Sequence, residues 1–123
     1  MQKEFIGQDA IVSLHQVLID LEVHNLFLVR GNKSYVNSGA ETVLSPVFKI
    51  VGTTVIEFSG FSANPKMSEA EEGVKRFLTS GADAILVVGG GSAMDTAKLI
   101  RHYAAEQGVS VPLLAIPTTS GSG

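Results

Sequence analysis

The sequence predicts a three-layer α/β fold, a parallel sheet with helices on both faces, and three observations carry that prediction. Strand-like and helix-like stretches alternate along the chain in the order β α β α β α β α β, the pattern of parallel sheets built with right-handed crossovers. Two of the strand-like runs, Asn25–Val29 and Ala84–Val88, are almost continuously apolar. Strands apolar on both sides belong to sheets covered on each face. Finally, 123 residues with 45% apolar and 17% charged side chains make one globular domain, long enough to bury roughly two thirds of its unfolded surface.

The elements follow in order. Glu4-Phe5-Ile6 reads as a short edge strand closed by Gly7. Asp9 then stands as an N-cap. Ile11, Leu14, Leu18 and Leu21 recur at helical spacing, with Val12, Val17 and Ile19 widening the apolar face. This helix is expected to run to about Glu22 and to be largely buried. The strand Asn25–Val29 leads into the loop Arg30-Gly31-Asn32-Lys33-Ser34. A short helix is expected from there to a break near Ser38-Gly39, and another short helical piece from about Ala40, with Pro46 leaving its extent open.

Thr53–Phe58, rich in β-branched residues, is the next strand, and Ser59–Pro65 is loop. Ser68 opens a helix, with Glu71 three residues on as a capping box. Glu71–Lys75 and Glu72–Arg76 are i,i+4 pairs on its polar face, and Ala70, Val74, Phe77 and Leu78 form its buried stripe. Gly81 is a good residue to end it. After the strand Ala84–Val88, a helix is expected from Ser92 to about Gln107, with Ala93, Ala97, Ile100 and Ala104 on one face. Such small side chains allow close packing on the sheet. Gly108 ends this helix, and Val111–Ile116 is the last strand, its start placed near the sheet margin by Pro112.

Bulk properties exclude several functions. The net charge is −3 and the nine Lys and Arg are scattered, so no nucleic-acid partner is expected. No apolar run approaches the roughly 18 residues of a membrane span, and no signal peptide is expected from the opening residues. No membrane partner is expected. Without cysteine there is no thiolate metal site, and a cytoplasmic location is the default. Thr118–Gly123 reads as the opening of a loop, so a piece of a longer protein is expected.

In open α/β sheets ligands bind beyond the carboxyl ends of the strands. Four loops leave such ends: Gly31–Ser34, Ser59–Asn64, Gly89–Ser92 and Thr118–Gly123. All are rich in Gly, Ser, Thr or Asn, residues that present backbone amides and short hydroxyls. Together they suit a long ligand with more than one phosphate. The stretch Ala84–Lys98 is the centre of this reading. A buried strand runs into Gly89, Gly90 and Gly91, and a helix begins immediately after. The glycines let a ligand approach the main chain, and the first helical amides point outward with the positive end of the dipole behind them. A purely structural glycine turn is the alternative. Met94 stands where G-x-G-x-x-G requires its third glycine, and no Gly-Lys-Ser/Thr follows for a P-loop.

Asp95 has two readings: partner of Ser92 in a capping box, or contact to a ligand's polar groups. Lys98 either faces solvent or leans toward the pocket floor. His15, His24 and His102 form no metal-binding pattern and are read as structural or surface residues.

Two segments resemble a known family. Gly89-Gly-Gly-Ser-Ala-Met-Asp-Thr-Ala-Lys98 resembles the GGGSxxDxAK segment of iron-containing (group III) alcohol dehydrogenases. Ile116-Pro-Thr-Thr-Ser-Gly-Ser-Gly123 resembles their IPTTxGTGSE segment. Asn64-Pro65 before a helix, and Ser80-Gly-Ala-Asp-Ala84 before the glycine strand, also match. The resemblance covers essentially the whole chain.

It implies an NAD(P)-dependent oxidoreductase of the dehydroquinate-synthase-like superfamily. Residues 1–123 would be its Rossmann-like dinucleotide domain, followed by an all-helical domain. One Asp and three His of that second domain hold Fe²⁺, or sometimes Zn²⁺, in the family. No residue of this chain is then catalytic or a metal ligand, and the chain alone is expected to be inactive. The implied partners are the nicotinamide cofactor and a small alcohol or aldehyde; a homodimer is left open. Carried over by position, Gly90, Gly91 and Ser92 bind the pyrophosphate. Thr118, Thr119 and Ser122 line the adenine and ribose side, Asn64 lies in the cofactor cleft and Asp95 near the nicotinamide end. Gly31 stands where many NAD-preferring members have Asp. Its lack of a carboxylate, with Lys33 or Arg30 beside it, implies that NADP is tolerated or preferred. Two alternatives stay open: a polyol or sugar-phosphate enzyme of the same superfamily, and a stand-alone nucleotide-binding or sensor domain.

Overall fold

The computed structural model describes residues 2–4, 8–31, 40–59 and 67–117. Among them, strands β1 (Gln2–Glu4), β2 (Asn25–Arg30), β3 (Thr54–Phe58), β4 (Ala84–Gly89) and β5 (Leu113–Pro117) alternate with helices α1 (Gln8–Asp20), α2 (Ala40–Val51), α3 (Met67–Ser80) and α4 (Gly91–Glu106). The five strands form one sheet in the order β1-β5-β4-β2-β3, every pair parallel. The α/β fold expected from the alternation is therefore observed.

Strand period two divides the sheet into two faces. Phe27, Val29, Ile85, Val87, Leu113 and Ala115 face α3 and α4. Leu26, Leu28, Leu86, Val88, Leu114 and Ile116 face α1 and α2. The middle strand β4 is buried at every residue, as a strand covered on both sides must be. The edge strand β3 alternates far less cleanly and leaves Thr54 and Glu57 exposed.

Several local expectations change in the tertiary structure. Helix α1 buries Leu14 and Leu18, but Ile19 and Leu21 are 47% and 43% exposed, so only one face of it is buried. It ends with Glu22 at φ 53°, closed by Glu22 N–H to Ile19 O and Val23 N–H to Leu18 O. That is a Schellman closure with a glutamate in the usual glycine position. Helix α2 runs straight through Pro46. Pro46 and Thr42, whose carbonyl loses its partner, are both exposed, while Leu44, Val47 and Phe48 anchor the other face in the core. Water can satisfy the freed carbonyl there.

Helix α3 begins at Met67, which puts Ser68 inside the first turn rather than ahead of it. Leu78 of its apolar stripe is only partly buried, and Gly73 is buried in its place. Arg76 does not pair with Glu72. Its Nη2 donates to the Glu57 carbonyl at 3.1 Å and its guanidinium lies over the Phe58 ring. Strand β5 lies inside the sheet, between β1 and β4. Pro112 precedes it, and its carbonyl accepts from Ile85 N–H at 3.0 Å, so the missing donor falls outside the ladder.

Candidate functional site

Because all strands are parallel, Arg30, Phe58, Gly89 and Pro117 end on one edge of the sheet. The connections leaving this edge do not all turn the same way. From β2 the chain goes through α2 to β3, outward on one side; from β4 it goes through α4 to β5, outward on the other. Helices α2 and α4 lie on opposite faces. The gap between the ends of β2 and β4 is thus the topological switch point, where open α/β sheets bind ligands.

The β4–α4 turn sits at that point. Gly90 is the N-cap of α4, with φ −95° and ψ −155°, and no side chain caps the helix. The first helical bond is Met94 N–H to Gly90 O at 3.0 Å. The amides of Gly91, Ser92 and Ala93 precede it and have no intrahelical acceptor. The capping box of Ser92 with Asp95 does not form, since the helix starts before Ser92 and Asp95 is exposed. Of the residues carrying those amides, Ala93 is buried, while Gly91 and Ser92 present their amides at the surface, backed by the positive end of a 16-residue helix.

Two glycines of the turn do different things. A Cβ at Gly89 would lie 2.8 Å from Ala93 Cβ, so this residue lets α4 start tight against its own strand. A Cβ at Gly91 would meet no heavy atom of the described residues within 4 Å. Packing among the described residues does not require a glycine there, and the open side of the turn is where a ligand's phosphate can approach the amides. Gly31 joins the same place from β2. Its N–H donates to Val88 O at 3.2 Å, and it is the next atom group, after Ala93, around the Cβ position of Gly89. The structure thus brings Gly31, Gly90, Gly91 and Ser92 together, with Asp95 on the first turns of α4.

Against this geometry, the comparisons with known proteins are decisive. A family model described as iron-containing alcohol dehydrogenase matches residues 2–123. The chain belongs to this iron-containing alcohol dehydrogenase family. It is 29% identical to the long-chain primary alcohol dehydrogenase AdhA of Thermoanaerobacter ethanolicus over 129 residues, 92% of this chain and 32% of that protein. It is 31% identical to lactaldehyde reductase of Escherichia coli (strain K12) over 110 residues, 77% of this chain and 29% of that protein. The chain thus spans about a third of the length of these curated relatives. A solved 1,3-propanediol oxidoreductase is 27% identical with a TM-score of 0.80, covering 98% of this chain and 35% of its own. The NADH-dependent butanol dehydrogenase A of Thermotoga maritima shares the fold, at a TM-score of 0.80 and 23% identity over 93% of this chain and 32% of its own.

Other family-like segments fall into place. Ser80–Ala84 is structural and lies at the opposite edge of the sheet. The Ser80 hydroxyl donates to Phe77 O and accepts from Ala82 N–H, and Gly81 closes α3 at φ 67°. Asp83 Oδ2 accepts from both His24 N–H (2.8 Å) and Asn25 N–H (3.0 Å), pinning the start of β2 beside β4. Lys98 is exposed on α4. Asn64, Lys33, Thr118, Thr119 and Ser122 lie outside the described residues. Arg30 is already engaged: its Nε donates to Glu57 Oε1 and its Nη1 to the Gly31 carbonyl at 3.3 Å.

Thr96 was not singled out from the sequence of this family member. It is fully buried, and its hydroxyl donates to Ser92 O at 2.8 Å, bracing the first turn of α4. Its spacing from Ala93 and Ile100 was the available signal. His24 and His102 are exposed, and His102 lies 3.5 Å from Glu106. Among the described residues no group of three or more His, Cys, Asp or Glu is placed to hold a metal ion. No helix among them is long and apolar enough to cross a membrane.

Proposed function

We propose that this chain is the cofactor-binding part of a metal-dependent alcohol dehydrogenase, acting on NAD or NADP. The observation that carries the proposal is the glycine turn between β4 and α4, at the switch point, with helical amides that no side chain caps. Gly90, Gly91 and Ser92 seat the pyrophosphate: the amides of Gly91 and Ser92 and a helix dipole worth roughly half a positive charge meet its oxygens. Gly31 keeps the tip of β2 low, so that the nucleotide passes over it. Asp95, exposed near the start of α4, orients the cofactor toward its nicotinamide end. Asn64, Thr118, Thr119 and Ser122 complete the cleft in this reading. When bound, the nicotinamide supplies the hydride acceptor or donor.

The described residues at the switch point offer backbone amides suited to a pyrophosphate, and among the described residues no group of three or more His, Cys, Asp or Glu is placed to hold a metal ion. In this proposal Fe²⁺ or Zn²⁺, with the groups that act on the substrate, belongs to the part of the relatives' length that this chain does not span. Residues 1–123 are then one dinucleotide domain, inactive by itself, and the setting proposed for it is the cytoplasm. The substrate class is a small alcohol or aldehyde. Names such as lactaldehyde reductase, choline dehydrogenase and NAD-dependent methanol dehydrogenase among the relatives support the class, and their spread keeps the proposal at that level.

Gly91→Ala separates binding from folding. The added methyl meets no heavy atom of the described residues within 4 Å, and alanine in place of glycine lowers the entropy of the unfolded chain, a gain of about 0.4–1 kcal/mol. Folding is expected to be unchanged or slightly improved. Calorimetric titration with NAD⁺ and NADP⁺ is expected to show at least about tenfold weaker binding, some 1.4 kcal/mol. Equal affinities for wild type and variant would remove the pyrophosphate seat from this turn.

A further inference from the structure

Arg30 is the last residue of β2, and Gly31 follows it at the switch point. The Arg30 side chain is 21% exposed and that of Glu57 50% exposed. Glu57 lies opposite Leu28 in register, so both ion-pair partners rise on the α2 face of the sheet. Nε of Arg30 is bonded to Glu57 Oε1, and Nη1 lies 3.3 Å from the Gly31 carbonyl. The guanidinium is therefore held at the tip of β2 by a carboxylate from the neighbouring strand. A second cation, Arg76, also holds Glu57, but through its main-chain carbonyl and from the α3 side.

Adjacent strands stand about 4.8 Å apart. A dinucleotide with its pyrophosphate on the β4–α4 turn carries a ribose over the tip of a neighbouring strand, and β2 is that neighbour. An arginine at such a place binds a ribose 2′-phosphate. A carboxylate paired with that arginine competes with the phosphate for the guanidinium. We propose that Glu57 is a cofactor-specificity residue: by pairing with Arg30 beside Gly31, it withholds the guanidinium from a ribose 2′-phosphate and favours a dinucleotide with a free 2′-hydroxyl. The inference rests on the dinucleotide reading above. It reverses what Gly31 alone implies, because the acidic group missing from the tip of β2 is supplied from β3.

The test uses Glu57→Gln, which keeps the size and removes the charge, and Glu57→Thr, which suits an edge strand. Dissociation constants for NAD⁺ and NADP⁺ are measured by calorimetry on the full chain. The ratio Kd(NADP⁺)/Kd(NAD⁺) is expected to fall by about fivefold in both variants, the size of one partly exposed ion pair, and more at low salt. The fall is expected to vanish when Arg30→Met is added. An unchanged ratio, with NAD⁺ still bound, overturns the role of Glu57 and leaves the dinucleotide site standing. A fall that persists without Arg30 also overturns it. A wild-type chain that binds neither dinucleotide overturns the dinucleotide reading, and this inference with it.

Discussion

Replacing Gly73 by alanine sets two effects of similar size against each other. Gly73 is buried in the middle of α3. Alanine is the better helix former at such a position by about 1 kcal/mol. The methyl it adds would lie 2.5 Å from Ile100 Cδ1, 2.9 Å from Ile100 Cγ1 and 3.1 Å from Phe58 Cε2. Carbon atoms in contact sit about 3.5–4.0 Å apart, so the neighbours must retreat by roughly 1 Å. Ile100 is 0% and Phe58 5% exposed, which leaves them little room. Overpacking of this kind costs about 1–3 kcal/mol. The net expectation is a chain destabilised by up to about 2 kcal/mol, where propensity alone predicts a gain. Ile100→Val removes the nearest atom and costs about 1 kcal/mol by itself. In the double variant the added methyl occupies the space that Cδ1 leaves. Its stability is therefore expected to exceed the sum of the single effects by about 1 kcal/mol. Urea denaturation midpoints at constant slope measure all four chains. A Gly73→Ala chain stabilised by the full propensity gain, with additive behaviour in the cycle, would refute close approach of α3 and α4 at this glycine.

Three further outcomes test the fold around the site. Gly89→Ala places a methyl 2.8 Å from Ala93 Cβ, on backbone at φ 155°, and is expected to destabilise the chain by about 2 kcal/mol or more; a urea midpoint equal to that of Gly91→Ala would contradict the different roles given to the two glycines. Pro46→Ala restores an N–H to the Thr42 carbonyl within α2 and is expected to raise stability by about 1–3 kcal/mol, read as an increase in Tm; no increase would mean that the proline is fully accommodated. Asp83→Ala removes the acceptor of two main-chain donors, His24 N–H and Asn25 N–H. A loss of about 1–2 kcal/mol is expected, with faster amide exchange at those two residues; unchanged exchange would show that the carboxylate does not hold the start of β2.

Much of the geometry of the candidate site was legible because it is local. Three glycines between an apolar run and a helical pattern mark a strand–turn–helix with a bare N-terminus, and the structure places them so. The small residues Ala93, Ala97 and Ala104 announced a helix pressed on a sheet, and all are buried. Local rules misled where a partner far along the chain decides. Ser92 and Asp95 have the spacing of a capping box, but the turn starts the helix at Gly91 and leaves Asp95 outside. Arg76 has a glutamate one turn away, yet bonds a carbonyl of β3. Pro46 ought to break a helix, yet Leu44, Val47 and Phe48 hold α2 against the sheet on both sides of it.

What the sequence by itself determined is the set of elements, their parallel alternation, the glycine turn and, through two segments, the family. These depend on spacings of a few residues, where side-chain period and backbone freedom act directly. Only the tertiary structure decided the strand order, and with it the switch point that brings Gly31 beside Gly89 and sets the Glu57 carboxylate on Arg30. Which strand lies next to which depends on how two helical layers share one sheet. No local pattern encodes that, because residues 31 and 89, or 30 and 57, become neighbours only after the whole core has packed.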